Sequence, residues 1–213
     1  MKCDKKWMPL YAVTDRAWLR GRTLLEQAEE ALRGGATCLQ LREKELDHDA
    51  FLQEALEMRA LCSRCGVPLF INDDVDIAVA CGADGVHIGQ HDAPAAEVRR
   101  RIGPGMMLGV SAQTVEQALK AQEDGADCLG VGAVFSTGTK LDADDVSFDT
   151  LRAICSAVSI PVVAIGGIQK GNLSLLAGSG IDGVAVVSAI FAAEDIEQAA
   201  RELRQAVREE LGV

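Results

Sequence analysis

The sequence predicts an α/β protein, a (β/α)8 or TIM barrel that forms a single domain over residues 1–213, and three observations support this. Short apolar runs alternate with longer amphipathic runs from end to end, as strands and helices alternate in βαβ units. The apolar runs number about eight, which is the number of strands in such a barrel. The length of 213 residues fits as well, because α/β barrels of about 200–250 residues commonly form one domain.

Each predicted strand is a short apolar run, and only 4% of the residues are aromatic, so Val, Ile, Leu and Ala form the core, as in buried parallel strands. The predicted strands cover residues 10–15, 38–43, 68–72, 85–89, 107–112, 128–134, 161–167 and 183–189. Apolar residues at helical spacing predict helices over 23–35, 49–66, 115–125 and 195–211. A doubly wound open sheet is the alternative, but the first predicted strand is not followed by the Gly-rich G-x-G-x-x-G turn expected there.

A turn pattern recurs along the chain. The segments GGATCLQL (34–41), CGADGVHI (81–88), DGADCLGV (124–131) and SGIDGVAV (179–186) share a Gly, a small or aliphatic residue, an Asp or Thr, and then a strand. They predict short helix-to-strand turns. Glycines at the ends of the helical runs are predicted to terminate them in the left-handed conformation; they are Gly35, Gly66, Gly82, Gly125 and Gly180.

Composition excludes several functions. A formal net charge of −11 argues against nucleic-acid binding through a basic face, and no apolar run is long enough for a membrane helix. The segment 1–10 has no apolar signal-peptide region, so the seven scattered cysteines are interpreted as reduced thiols in the cytoplasm. Cys62 and Cys65 form an isolated C-x-x-C without further zinc ligands, so we interpret them as packing residues.

Polar residues follow the predicted strands, where barrel enzymes carry their chemistry. Gln40, Arg42 and Lys44 are spaced by two, so they point the same way along an extended chain. One interpretation is an internal ion pair of Arg42 with Asp15 or Asp73. The other, favoured by Ser111 and Lys140 after neighbouring strands, is a site for a diphosphate, which guanidinium and ammonium groups bind well.

Two carboxylates follow adjacent strands. Asp73 and Asp92 facing a basic pocket predict a Mg²⁺ site, because Mg²⁺ uses one or two carboxylates together with phosphate oxygens and water. The alternative for Asp92 is a helix N-cap, which is the predicted role of Asp74. His87, in the middle of a predicted strand, is interpreted as a core histidine.

The last two predicted strands indicate a second anion site. Gly166 and Gly167 allow close approach of the backbone to a ligand, and Ser188 adds a hydroxyl. In barrels of this kind, a monophosphate is often bound after strands seven and eight. The alternative is that both glycines are turn residues only.

The sequence resembles the thiamine phosphate synthase family in an ordered set of motifs that covers nearly the whole chain. The motifs are LYAVTD, QLREK, NDD, GVHIGQHD, GVSAQT, GVGAVFSTGTK, VVAIGGI and DGVAVVSAI. The resemblance implies that a hydroxymethylpyrimidine diphosphate is coupled to a thiazole phosphate, or to its carboxylated precursor, with release of pyrophosphate. It also implies small-molecule partners and one Mg²⁺ per subunit, held by Asp73 and Asp92, and is compatible with a homo-oligomer.

The resemblance implies a role for each matching residue. Those implied to bind the pyrimidine diphosphate are Gln40, Leu41, Arg42, Glu43, Lys44, Asn72, Ser111 and Lys140. Those implied to bind the thiazole phosphate are Thr137, Gly138, Thr139, Gly167, Val187 and Ser188. The catalytic residues would be Arg42, Lys44, Ser111 and Lys140, which stabilise charge on the leaving group.

The chemistry needs no covalent nucleophile, because an electron-rich pyrimidine can lose diphosphate to leave a stabilised cation. Exclusion of water requires a closing loop, and the candidates are segments 43–50 and 136–145. Ser136, Gly138 and the acidic stretch 142–145 depart from the family pattern. The alternatives are a thiazole tautomerase-like member of the same barrel family, which needs no Mg²⁺–diphosphate site, and a regulatory barrel that senses thiamine phosphate.

Overall fold

The computed structural model describes residues 3–135 and 146–213, and it confirms the predicted barrel. Eight parallel strands pair in sequence order, and the last pairs with the first to close the sheet. The strands are β1 (Leu10–Val13), β2 (Cys38–Leu41), β3 (Leu69–Asn72), β4 (Gly85–Ile88), β5 (Met107–Ala112), β6 (Cys128–Val131), β7 (Val162–Ile165) and β8 (Gly183–Val186).

Helices connect the strands on the outside of the barrel. They are α1 (Leu24–Arg33), α2 (His48–Cys65), α3 (Val75–Cys81), α4 (Ala95–Ile102), α5 (Val115–Glu123), α6 (Phe148–Ala157), α7 (Ser188–Phe191) and α8 (Ile196–Leu211), with 3₁₀ turns at Lys5–Trp7, Arg16–Trp18 and Lys170–Leu176. Most of them begin at a residue whose side chain accepts a backbone N–H, such as Thr23, which forms a capping box with Glu26 ahead of α1.

Alternation along each strand separates two cores. On β1, Leu10 and Ala12 face the helices, whereas Tyr11 and Val13 face the inside of the barrel. The inside is filled with side chains: Phe70 takes the space left by Gly85 on the adjacent strand, where an added Cβ would collide with its ring. The barrel is therefore a packed core, and ligands are confined to its ends.

The repeated turns serve one structural purpose at the amino ends of the strands. Thr37, Asp84, Asp127 and Asp182, which we call the amino-end residues, each precede an even-numbered strand. Each side chain accepts a backbone N–H from the start of the preceding odd-numbered strand, at 2.9 to 3.0 Å. The sequence repeat is therefore a repeat of pairs of βα units.

Several predicted boundaries were wrong. β6 ends at Val131, short of the predicted 134. The next residue, Gly132, lies so close to the Ile165 carbonyl that a Cβ there would collide with it. Gly66 and Gly82 end helices in the left-handed conformation as predicted. Gly35, Gly125 and Gly180 instead follow the helix ends, at positive φ.

Two absences concern the described part of the chain. None of the helices within residues 3–135 and 146–213 combines the length and apolar character needed to cross a membrane. All seven cysteines are free thiols. The interpretation of the C-x-x-C as packing residues is confirmed for Cys62, which is buried in the core, and was wrong for Cys65, which is exposed.

Candidate active site

The last two residues of β2, Gln40 and Leu41, lie at the carboxyl end of the barrel and point in opposite directions. Gln40 is buried, and its side-chain Nε2 donates to the Tyr11 hydroxyl at 3.0 Å, so this amide forms the floor below the site. Leu41 points the other way, into the core shared with the helices. Because the side chain of Leu41 is fully buried, its backbone alone could reach a ligand.

Arg42 is tied to the end of β1. Its backbone N–H donates to the Thr14 hydroxyl at 3.0 Å, and its guanidinium lies 3.5 Å from the Asp15 carboxylate. The ion pair that the sequence left open is therefore formed. The side chain of Arg42 nevertheless stays about one-quarter exposed (24%), which leaves the guanidinium accessible to an anion.

Glu43 faces the protein. One carboxylate oxygen accepts the backbone N–H groups of Lys44, Glu45 and Leu46, and the other pairs with Arg16. Burial works to raise the pKa of Glu43, but these N–H groups and the Arg16 guanidinium outweigh burial and lower it. The side chain is 1% exposed, so the carboxylate is directed away from solvent.

Asp73 and Asp92 lie side by side, with Lys44 over them. The Lys44 ammonium is 2.5 Å from Asp73 Oδ2, and Asp73 has a left-handed backbone, with φ of 63°. Burial raises the pKa of Asp92, and hydrogen bonding with Asp73 and the negative charge of that neighbour raise it further. Two carboxyl groups this close favour a bound cation between them.

The N-cap interpretation of Asp92 was wrong. Helix α4 begins after Pro94, which makes no side-chain cap, and Asp92 instead accepts the Gly89 N–H at 2.6 Å. Asp74 is an N-cap as predicted, because it accepts the Ile77 N–H at 2.9 Å. The adjacent residues Asp73 and Asp74 are thus divided between the site and the helix.

The acidic pair fits Mg²⁺ better than a metal held entirely by protein groups. Among residues 3–135 and 146–213, no group of three or more His, Cys, Asp or Glu side chains is arranged to hold a metal. Two carboxylates side by side, with an ammonium beside them, have the chemistry to hold a Mg²⁺ ion whose other ligands would be phosphate oxygens and water.

His87 is buried inside the barrel, as predicted for a core histidine, and it also contacts a site residue. Its Nε2 lies 3.1 Å from the Ser111 hydroxyl, and Gly109 and Gly130 leave room for the ring, since a Cβ at Gly109 would collide with it. The side chain of His87 faces the inside of the barrel. The inward-facing glycines of the next two strands, Gly109 on β5 and Gly130 on β6, are the sequence signal for a bulky neighbouring side chain. The main-chain carbonyl of Ser111 also accepts from Gln90, at 2.6 Å.

At the ends of β7 and β8, the rim of the barrel consists mainly of backbone groups. Gly166 and Gly167 have φ of 99° and 62°, and a Cβ on Gly166 would collide with Ala133. The Gly167 carbonyl accepts from Asn172 at 3.0 Å, which fixes this turn. Val187 and Ser188 lead into the short helix α7, so the first N–H groups of that helix point at the same end of the barrel.

An open cavity of about 380 Å³ lies at the β2–β3 side of this end. Asn72, at the end of β3, is half-buried in its wall. The cavity is lined by Glu43, Lys44, Leu46, Phe51, Asn72, Asp73 and Asp74. Four predicted site residues, Thr137, Gly138, Thr139 and Lys140, lie outside the described residues, as does the whole of the predicted closing segment 136–145.

The fold and this rim are typical of barrel enzymes that act on small phosphorylated molecules. A family model described as thiamine monophosphate synthase matches residues 10–190, and the chain belongs to that family. The resemblance predicted from the sequence motifs is thereby confirmed.

Individual relatives agree over nearly the full length. The thiamine-phosphate synthase of Alkaliphilus oremlandii (strain OhILAs) is 53% identical over 199 residues, which are 93% of this chain and 95% of that relative. The thiamine-phosphate synthase of Clostridium tetani (strain Massachusetts / E88) is 52% identical, with coverage of 91% and 93%. The solved structure of thiamine phosphate pyrophosphorylase from Pyrococcus furiosus has a TM-score of 0.90 and 40% identity, and covers 98% of this chain and 99% of that chain.

Proposed function

We propose that this protein is a thiamine-phosphate synthase, a transferase that moves a pyrimidinylmethyl group from diphosphate to a thiazole nitrogen. The observation that carries the proposal is the full-length similarity to relatives of that name, at 51 to 53% identity for the first three. The thiazole tautomerase-like alternative is not favoured by these relatives. The acidic pair beside Lys44 also supports the synthase, because a tautomerase needs no Mg²⁺–diphosphate site.

The diphosphate is assigned to the side of the rim that carries charged groups. Arg42 and Lys44, with Ser111 and Lys140, would bind the diphosphate oxygens, and Gln40 and Asn72 would hold the pyrimidine. The accessible guanidinium of Arg42 and the open cavity beside Lys44 and Asn72 support this assignment. Leu41 and Glu43 would contribute backbone only, because their side chains are buried.

The thiazole phosphate is assigned to the β7–β8 side. The two positive-φ glycines and the start of α7 support a monophosphate site made mainly of backbone N–H groups. Gly167, Val187 and Ser188 would bind the phosphate, and Thr137, Gly138 and Thr139 would contact the thiazole from segment 136–145.

The reaction is a substitution at the pyrimidinylmethyl carbon. The C–O bond breaks with its electron pair leaving on the diphosphate, and the lone pair of the thiazole nitrogen then forms the new N–C bond. Charge therefore develops on the leaving group, where Arg42, Lys44 and Lys140 stabilise it. Ser111, held by His87, would donate a hydrogen bond to the same oxygens.

Mg²⁺ is proposed as the cofactor, one per subunit, held by Asp73 and Asp92. When bound, the ion offsets the negative charge of the diphosphate. The Lys44–Asp73 contact at 2.5 Å supports a position of this lysine next to both the acidic pair and the leaving group. We assign small molecules as the partners, with no nucleic acid or membrane, and expect the protein in the cytoplasm.

Product analysis tests the proposal. The purified protein is incubated with the pyrimidine diphosphate and the thiazole phosphate, with Mg²⁺ and with excess EDTA. We expect thiamine phosphate and pyrophosphate in equal amounts, and their loss in EDTA with recovery on adding Mg²⁺. Isomerisation of a carboxylated thiazole phosphate without coupling would support the tautomerase. Tight binding of thiamine phosphate without turnover would support the regulatory barrel, and either result would contradict the proposal.

A further inference from the structure

Two consecutive residues after β1 hold two consecutive residues after β2, with the charges reversed. Asp15 pairs with Arg42, and Arg16 pairs with Glu43. We propose that Arg16 and Glu43 are positioning residues: they fix the turn after β2 so that Lys44 lies against the acidic pair, and neither contacts a substrate. This inference rests on the proposed function for the role of Lys44 and goes beyond it in assigning Arg16 and Glu43.

Glu43 organises the turn through its carboxylate. Its Oε1 accepts three consecutive backbone N–H groups, from Lys44 at 2.7 Å, Glu45 at 2.6 Å and Leu46 at 3.1 Å. Three such bonds fix the direction in which the chain leaves β2. Because they include the N–H of Lys44, the carboxylate sets the starting point of that side chain directly.

Arg16 connects this turn to α2. Its Nε pairs with Glu43 Oε2, and its Nη2 donates to Glu54 on α2 at 2.7 Å. A guanidinium can make both contacts from separate nitrogens, which an ammonium cannot do with the same geometry. Arg16 is 21% exposed, and its two partners are less so, so the pairing is partly shielded from solvent screening.

The same contacts exclude the Glu43 side chain as a diphosphate ligand. Both of its oxygens are engaged by protein donors, and a carboxylate with lowered pKa repels a polyanion. Lys44 belongs to this fixed turn. Its ammonium lies 2.5 Å from Asp73 Oδ2, and about half of its side chain (52%) is exposed. An exposed lysine adopts one position more often when its backbone is fixed.

The test uses Glu43→Gln and Arg16→Gln, with Glu30→Gln as the matched control. Glu30 pairs with Arg22 at 2.8 Å and is half-buried, as Arg16 is, but it lies on α1, away from the rim. We expect both variants to raise KM for the pyrimidine diphosphate roughly tenfold, the effect of losing one charge-assisted contact. KM for the thiazole phosphate should change less than about twofold, and the control should match the wild type.

Two further readouts separate positioning from general damage. If Arg16 acts through Glu43, the KM of the double variant should be no higher than that of the more impaired single variant. The two effects are then not additive. Amide hydrogen exchange of residues 44–46, measured without substrate, should be faster in both variants and unchanged in Glu30→Gln. Arg16→Lys, which keeps the charge, should recover part of the KM effect.

The outcomes distinguish this inference from the proposed function. If the wild type forms no thiamine phosphate, the proposed function fails, and hydrogen exchange together with the affinity for Mg²⁺–pyrophosphate decides the inference instead. Unchanged exchange at residues 44–46, or a KM increase shared equally by both substrates, would overturn it. Faster exchange with a selective loss of diphosphate affinity supports it.

Discussion

The two ends of the barrel use polar side chains in opposite ways. At the amino ends, Thr37, Asp84, Asp127 and Asp182 each accept one backbone N–H from the neighbouring strand. At the carboxyl ends, no such repeat holds among the described residues: Arg42 and Asp73 form ion pairs, Asp92 accepts a backbone N–H from its own turn, and Ser111 contacts His87. Polar side chains that stabilise the fold recur at equivalent positions of the repeated units. Polar side chains assigned to a ligand differ from strand to strand.

The backbone conformations also differ between the ends. The turns at the amino ends use glycines at positive φ, such as Gly35 and Gly125, whereas the carboxyl end also holds a non-glycine residue, Asp73, at φ of 63°, a conformation that is retained where function requires it. The amino-end residues Asp84, Asp127 and Asp182 are each paired with a basic side chain. Substitutions at the carboxyl end should therefore reduce activity, and those at the amino end stability.

The largest expected effect is on activity. Asp92→Ala should lower kcat/KM by about 100- to 1,000-fold, the usual result of removing one group that stabilises transition-state charge. The free energy of unfolding should change by less than about 1 kcal/mol, because the repulsion between Asp92 and Asp73 is relieved. Steady-state kinetics at saturating Mg²⁺ and urea denaturation measure the two quantities. A near-normal kcat/KM would remove Asp92 from the site.

The matching substitution at the amino end is Asp127→Ala. It removes the acceptor of the Leu108 N–H and leaves the partly buried Arg99 without its ion pair. We expect a loss of about 3 kcal/mol in the free energy of unfolding, measured by urea denaturation. The kcat of the folded fraction should stay within about twofold of the wild type; a large kcat loss at full folding would break the distinction between the ends.

A smaller effect is expected at Gly167, where the contact is made by backbone. Gly167→Ala adds a Cβ to a residue at φ of 62°, at a position assigned to the thiazole phosphate. KM for the thiazole phosphate should rise about tenfold, while KM for the pyrimidine diphosphate should stay nearly constant. Initial rates with each substrate varied in turn test this, and equal increases in both values would contradict two separate anion sites.

The smallest effect is expected for Thr37→Val. This nearly isosteric change removes the hydroxyl that accepts from Leu10 at 2.9 Å and donates to Trp7 at 3.0 Å. The free energy of unfolding should fall by about 1 kcal/mol, with both KM values unchanged. Thermal and urea unfolding measure this, and a stability equal to that of the wild type would show that the repeat contributes little at this position.

The barrel could be predicted from the sequence because the spacing of apolar residues and the recurring turn pattern are local signals. Alternating runs marked every strand, and the turns with Gly followed by Asp or Thr marked where the even-numbered strands begin. Strand ends were harder to predict. β6 stops at Val131, next to the point where Gly132 closely approaches Ile165, a residue distant in sequence. Such long-range contacts leave no local signal.

The sequence predicted which types of residue form the site better than it predicted which residues contact each other. The proximity of Asp73 and Asp92 was predictable, because they follow adjacent strands. Spacing alone did not decide whether Asp92 is a helix N-cap or a site residue, since this depends on the start of α4 at Ala95. His87 and Arg16 were missed, because the contacts of His87 with Ser111 and of Arg16 with Glu43 and Glu54 join distant segments. Glu43 was grouped with the ligands because its motif is contiguous, although its side chain faces inward.

A crystal structure with Mn²⁺ in place of Mg²⁺, together with pyrophosphate, tests the central claim most directly. The account predicts an anomalous peak within coordinating distance of carboxylate oxygens of both Asp73 and Asp92, about 2.0–2.2 Å for a small hard cation, with pyrophosphate bound to the metal beside Arg42 and Lys44. Metal and pyrophosphate bound elsewhere, or metal bound to neither aspartate, would contradict it.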